Sequence, residues 1–270
     1  MHRPETLALW APRMLLPDLR NGELRRELSR FLRLRRLAPG QTLFFEGEEA
    51  SAVYLVSAGV LRAYSAFPDG RRQIHRFVRA GEMLGVTFDA TYPYNSDAVG
   101  NAAVLKMERD RLDELCGTSP DFARLILARL SSEADAAREL SLLLGRSSAR
   151  ERIAGFLLQW AGSWAAARDG ELPLRLTQRD LADHLGLSVE TVCRELRHFV
   201  KARMISYPTP DRIELRDFAA MRRIAEGSAA AELPCLASER RGGRERGAHF
   251  IDRERLRIPS WRRAVRATSH

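Results

Sequence analysis

The chain has 270 residues, enough for two domains with separate cores, and its 45% apolar and 29% charged residues form a globular composition. No apolar run reaches the roughly 18 to 20 residues that span a bilayer, and Met1 to Pro17 lacks a basic, then apolar, leader pattern, so a cytoplasmic protein without membrane contact is expected. The net charge is +9, of which ten Arg against five Asp and Glu beyond Gly227 supply +5, a balance compatible with nucleic acid.

In chain order, Leu19 to Leu37 reads as an amphipathic helical lead-in, with Leu24, Leu28, Phe31 and Leu32 near helical spacing. From Pro39 the rhythm changes to short apolar segments separated by glycine-bearing turns: Gln41–Phe45, Ala52–Ser57, Gly59–Ala66, Arg72–Val78 and Ala102–Met107. Pro68-Asp69-Gly70 between two of them predicts a hairpin. The set predicts a small antiparallel barrel or roll over about residues 39 to 108. Between Pro120 and Gly145 there is neither Gly nor Pro, and Phe122, Ile126, Leu130, Ala134, Ala137, Leu140 and Leu144 recur three or four apart. That stripe predicts one long helix, packed on its own roll or on a second copy. Ser148 is placed to cap a following helix whose apolar face is Ile153, Phe156, Leu157, Trp160 and Ala161. Arg168-Asp169-Gly170 reads as a link, and the Arg-rich stretch after Gly227 as a basic, disordered tail.

The functional signal lies in TQRDLADHLGLSVETVCRELRHF, starting at Thr177. Thr177 and Asp180 have capping-box spacing, Leu181, Ala182 and Leu185 form one face of a short helix, and Gly186 supplies a turn that tolerates positive φ. Ser188 caps a second helix that buries Val192, Leu196 and Phe199 and turns Glu190, Cys193, Arg194 and Arg197 elsewhere. Two short helices about such a turn fit a reader of the major groove. Met204–Tyr207 and Arg212–Leu215, around Pro-Thr-Pro-Asp, read as the two strands of a wing.

On the second helix Glu190 can accept from a cytosine or adenine amino group and Arg194 can donate twice to guanine. Four residues apart, they share one face; the bland alternative is a surface ion pair between them. Val189 and Cys193 are placed for apolar contact with thymine methyls, and Arg197 and Lys201 for the DNA backbone. Cys193, in the N-terminal half of a helix beside Arg194, is either a packing thiol or a redox-sensitive one. Cys116, Cys193 and Cys235 form no C-x-x-C pair, which predicts neither a zinc nor an iron–sulfur site and no disulfide framework. No cofactor is expected, and no nucleophile-elbow, phosphate-loop or metal-ligand spacing suggests an enzyme.

With those residues set out, the sequence resembles the CRP/FNR family of bacterial regulators over about residues 30 to 222, and within it the FixK and FNR branches. The likeness is carried, in the family's order, by GQTLFFEGEEASAVYLVSAGVLRAY, PDGRRQI, GEMLG, LLLGRSSARERIAGFLLQWA and LGLSVETVCREL. It implies an α+β chain: a lead-in over 1–38, a cyclic-nucleotide-binding-like β-roll over 39–118, a dimerisation helix over 119–145, a winged helix-turn-helix over 146–226 and the tail over 227–270. It implies a homodimeric activator on double-stranded DNA, with RNA polymerase as a further partner and Phe122, Ile126, Leu130, Ala137, Leu140 and Leu144 on the dimer helix.

The family's E-x-x-S-R reading motif falls on Glu190 to Arg194, with Cys193 in the Ser position. The implied site is a TTGA-N6-TCAA-like palindrome. Thr177, Arg179, Ser188 and Thr191 match positions that touch phosphates, contacts that set register without reading sequence. Gly81, Glu82 and Gly85 keep the G-E-x-x-G of the family's effector pocket. The Arg that neutralises a cyclic phosphate is missing from Tyr94-Asn95-Ser96-Asp97-Ala98, and Asp97 brings the wrong sign. The pocket therefore reads as vestigial for cyclic nucleotides; the alternative is a roll that binds another small molecule and gates the same head.

Overall fold

The computed structural model describes residues 28, 30–145, 148–164, 171–173, 176–209 and 212–227. Eight strands build the roll: β1 Arg33–Leu37, β2 Thr42–Phe44, β3 Ala52–Ala58, β4 Val60–Ala66, β5 Arg72–Arg79, β6 Met83–Leu84, β7 Asn95–Ala98 and β8 Ala102–Glu108. They form two four-stranded sheets, ordered β1-β8-β3-β6 and β2-β7-β4-β5. The expected hairpin is β4–β5, paired from Val60↔Arg79 to Ala66↔Arg72 with an irregularity at Ala63/Tyr64. Alternation fills the space between the sheets: Leu43, Val56, Leu61, Val78, Leu84 and Val104 share one buried cluster. Phe44 stacks on Tyr92 at 3.9 Å and lies 5.8 Å from Tyr54, so aromatic rings occupy part of the same interior.

The lead-in differs from expectation. Helical backbone is present at Leu28, Arg30 and Phe31, but Arg33–Leu37 is strand β1, paired antiparallel with β8 from Arg33↔Lys106 to Leu37↔Ala102. The three-residue spacing of Leu34 and Leu37 suits a helix locally; the unpaired edge of β8 outweighs it by offering a ladder of backbone hydrogen bonds. The roll thus takes its first strand from ahead of residue 39. The rest of the lead-in, the link 165–170, the wing turn at 210–211 and the tail after 227 lie outside the described residues.

Helix α1, Arg109–Thr118, follows the roll, and helix α2, Pro120–Leu144, starts on a Ser119 cap with Pro at its first turn. Phe122, Leu125 and Ile126 pack with Leu28, Leu32, Val53 and Leu105. Phe122 and Ile126, expected on the dimer helix, therefore spend their side chains inside the chain's own core. At the far end of α2, Leu143 enters a different core with Ile153, Leu157, Leu181 and Leu185. Helix α3, Ala149–Trp164, contributes Phe156 and Trp160 to that core, and the Ser148 hydroxyl accepts from the Glu151 amide at 3.1 Å. The C-terminal unit, or head, adds β9 Glu171–Pro173, α4 Gln178–Leu185, α5 Val189–Lys201, β10 Ile205–Thr209, β11 Arg212–Leu215 and α6 Phe218–Ala225. Its three-stranded sheet runs β10-β11-β9, so the wing has a strand more than the two expected.

The roll and the head share a core. Ile74 and Phe77 of β5 lie in one cluster with Leu181, Leu185, Phe156 and Trp160. His184 of α4 sits among them, its Nδ1 2.9 Å from the Ile74 carbonyl and its ring against Phe77 and Phe156. Burial pushes this imidazole down to about 4, against the bond to Ile74, which works upward. An unfolded chain takes up that proton near pH 6.5, so the folded form binds fewer protons between the two values. The stabilisation is complete above pH 6.5 and is lost as pH falls towards 4, by about 2–3 kcal/mol at pH 4.5. Urea unfolding at pH 7 and pH 4.5 checks this: wild type should lose more stability on acidification than His184→Gln.

Candidate nucleic-acid interface

The helix pair of the head is built by local capping. The Thr177 side chain accepts from the Asp180 amide at 3.0 Å while the Asp180 carboxylate takes the Thr177 amide at 3.0 Å and its hydroxyl at 2.8 Å, closing the capping box. Gly186 ends α4 in the left-handed region, at φ 62°, where a side chain would be strained. A Cβ there would meet Leu144 of α2 at 3.7 Å, an ordinary contact, so the cost of a side chain lies in the backbone. The Ser188 hydroxyl accepts from the Thr191 amide at 3.2 Å and starts α5.

Helix α5 is sharply two-sided. Val192, Leu196 and Phe199 are buried, whereas Glu190, Arg194, Arg197 and Lys201 are exposed. Those four recur at spacings of four, three and four, one continuous face. Val189 is exposed and Cys193 half-buried at its border. Thr177, Arg179 and Ser188 are exposed and Thr191 is half-buried. The hydroxyl protons of Thr177 and Ser188 are already donated, to Asp180 Oδ2 and Thr191 Oγ1, so a phosphate, which only accepts, would have to displace those bonds to receive them.

The surface ion pair considered between Glu190 and Arg194 does not form. Glu190 lies in the first turn of α5, where its own backbone amide and the Ser188 hydroxyl hold the carboxyl below its ordinary range. Arg194 instead bonds through Nε to Glu195 Oε1 at 3.2 Å, and Arg150 of α3 bonds to Glu195 Oε2 at 2.8 Å. Glu195 is 7% exposed, and the two guanidiniums, opposing the effect of burial, keep its carboxyl below the usual range. Sequence reading missed Glu195, because its helical position says only that it borders the core. Its bond to Nε leaves the terminal nitrogens of Arg194, 68% exposed, as the atoms a base edge would meet.

In the roll, the Glu82 carboxylate accepts from the Arg79 amide at 3.0 Å and from Arg79 Nη2 at 2.9 Å. Gly81 donates to the Val56 carbonyl, and Gly85 donates to the Tyr94 hydroxyl at 3.2 Å. All three thus have turn-shaping partners. Glu82 also lines a pocket of about 170 Å³ against α2, where Arg76 and Glu133 are paired at 3.3 Å. Among the described residues no helix is long and apolar enough to cross a membrane.

The comparisons agree with this geometry. Residues 151–224 match the Crp-like helix-turn-helix domain and residues 34–119 the cyclic nucleotide-binding domain. The nitrogen fixation regulation protein FixK of Azorhizobium caulinodans is 35% identical over 190 residues, 69% of this chain and 77% of that protein. The fumarate and nitrate reduction regulatory protein of Escherichia coli is 31% identical, over 62% of this chain and 68% of its own length. The structure of FixK2 from Bradyrhizobium japonicum superimposes with a TM-score of 0.68 at 30% identity, covering 74% of this chain and 99% of that one. A two-domain regulator with a roll and a helix-turn-helix DNA-binding domain is the class these features define. The chain belongs to the CRP/FNR family of transcription regulators, on its FixK-like branch.

Proposed function

We propose that this regulator is a cytoplasmic homodimeric activator that reads a TTGA-N6-TCAA-like palindrome without a cyclic nucleotide and works with RNA polymerase. One observation carries the reading. Glu190 and Arg194 stand exposed one helical turn apart, on a helix whose opposite side is buried, with Arg194 steadied from behind by Glu195. Arg194 donates to guanine O6 and N7, and Glu190 accepts from amino groups on the complementary bases. Val189 and Cys193 flank them, and Thr177, Arg179, Ser188, Thr191, Arg197 and Lys201 serve the phosphates.

The dimer seam is supported by helix α2. Leu127, Leu130, Ala134, Ala137, Ser141 and Leu144 alternate at three and four, a heptad rhythm. Leu127 is 64% exposed, Ala134, Ala137 and Ser141 are exposed, and Leu130 and Leu144 half-buried. Leu140 lies off this seam. Independence from cyclic nucleotide is supported by Asp97, an anion already paired inside the protein, and by the tyrosines that follow Gly85 and fold into the roll.

Selection from random duplexes with reduced protein should enrich TTG and CAA half-sites; enrichment of no inverted repeat would overturn the reading. Arg194→Ala should cost about 1–3 kcal/mol on the selected site and relax preference at the guanine; equal losses on specific and random DNA would demote it to a phosphate contact. Leu127→Glu should shift the protein from dimer to monomer in light scattering without changing its helix content by circular dichroism. Peroxide should weaken DNA binding by adding oxygen to the Cys193 sulfur at the interface, and Cys193→Ser should keep binding but lose that sensitivity; equal sensitivity of wild type and variant would leave Cys193 as a packing thiol.

A further inference from the structure

Between the roll and the head lies a cluster of charges that no DNA contact uses. Arg62 projects from β4 with its side chain 12% exposed. Its Nε meets Asp97 Oδ1 of β7 at 2.5 Å, its Nη1 meets Asp180 Oδ1 of α4 at 2.6 Å, and its Nη2 reaches the Ala98 carbonyl at 3.4 Å. Beside it Arg72 of β5 grips Asp183 Oδ2 through Nε and Nη2 at 2.9 and 2.8 Å and lies 3.5 Å from Asp180. Gln73 donates to the His184 carbonyl at 3.1 Å. Two strands of one sheet thus hold the first helix of the reading pair at its start, its middle and its end.

The partners of Arg62 are unequal in what they control. Asp180 is 1% exposed and is the same carboxylate that closes the capping box on Thr177. Asp97 belongs wholly to the roll, and burial pushes its carboxyl up while Arg62 pulls it down. A guanidinium that bonds one carboxylate through Nε and another through a terminal nitrogen has its plane fixed by both. Lysine, with a single nitrogen, cannot reproduce that fork.

We propose that Arg62 is a positioning residue for DNA recognition: held in plane by Asp97, it fixes α4, and with it the whole reading head, relative to the roll and hence to the dimer axis. This rests on the palindrome reading above. It assigns to a residue far from any base the control of how the two heads are spaced, since each head is a rigid unit whose distance from its twin depends on its mounting.

The test uses the full-length protein and three duplexes: the selected palindrome and versions with the spacer one base pair shorter or longer. Wild type should discriminate strongly against both altered spacers. Arg62→Gln should narrow that discrimination about tenfold, the size of coupling expected between contacting groups, while guanine preference within each half-site stays intact. Arg62→Lys, which keeps the charge and protects against a failure to fold, should narrow it too. Arg194→Ala is the opposite control, relaxing base preference with spacer discrimination retained. A folded Arg62 variant that discriminates spacers like wild type, or loses affinity equally for all three, overturns the inference. Failure of wild type itself to bind the palindrome would instead sink the underlying reading.

Discussion

The carboxylate of Asp180 is buried to 1% exposure, and a buried charge must be matched by partners or it unfolds its surroundings. Here it is matched from both directions. Thr177, three residues away, supplies an amide and a hydroxyl, while Arg62, 118 residues away, supplies a guanidinium nitrogen. The first set makes a helix begin; the second decides where that helix sits. Local structure and domain arrangement therefore meet on one side chain, and neither can be altered there without the other. The surrounding apolar contacts, Ile74 and Phe77 against Leu181 and Leu185, add adhesion without comparable directionality.

The reading surface follows a similar logic on a smaller scale. A long exposed arginine loses considerable side-chain freedom when it settles on a base. Glu195 restrains Arg194 through Nε beforehand and is itself braced by Arg150 of another helix. Arg194, proposed above to read a base, thus stands on a support belonging to the core of the head.

What the sequence disclosed followed the range of the interactions. The helix pair was legible because Thr177, Asp180, Gly186 and Ser188 act within three or four residues of one another. Strands β3, β4, β5 and β8 were legible as short apolar segments between turns, β3 being buried at five successive positions, and the Asp-Gly turn announced the hairpin. Strand β7 was not legible: Asn95, Ser96 and Asp97 are polar yet buried, and the partners of Asn95 and Asp97 come from far away in the sequence, Tyr64 and Arg62 on β4 and Glu46 in the turn after β2. Strand β9, directly after Gly170, has three residues, too few to show a period of its own, and is held by pairing with β11. Helix α1 buries only Leu112 and Leu115 among its charges, too faint a period to stand out. Of the site, Glu190 and Arg194 were visible as a spaced pair, whereas Glu195 and Arg62 owe their roles to contacts 45 and 118 residues distant.

Helix α2 has one end sunk among Phe122, Leu125 and Ile126 in the roll and the other, at Leu143, sunk in the head. Its 25 residues make a rod about 37 Å long, comparable to the pitch of the duplex at about 34 Å. Such a rod behaves as a lever. A tilt of about ten degrees at the roll end sweeps the head end through about 6 Å, nearly two base-pair steps at about 3.4 Å each. On the palindrome proposed above, mechanical tolerance at the root of this helix would be converted, with gain, into tolerance of half-site spacing.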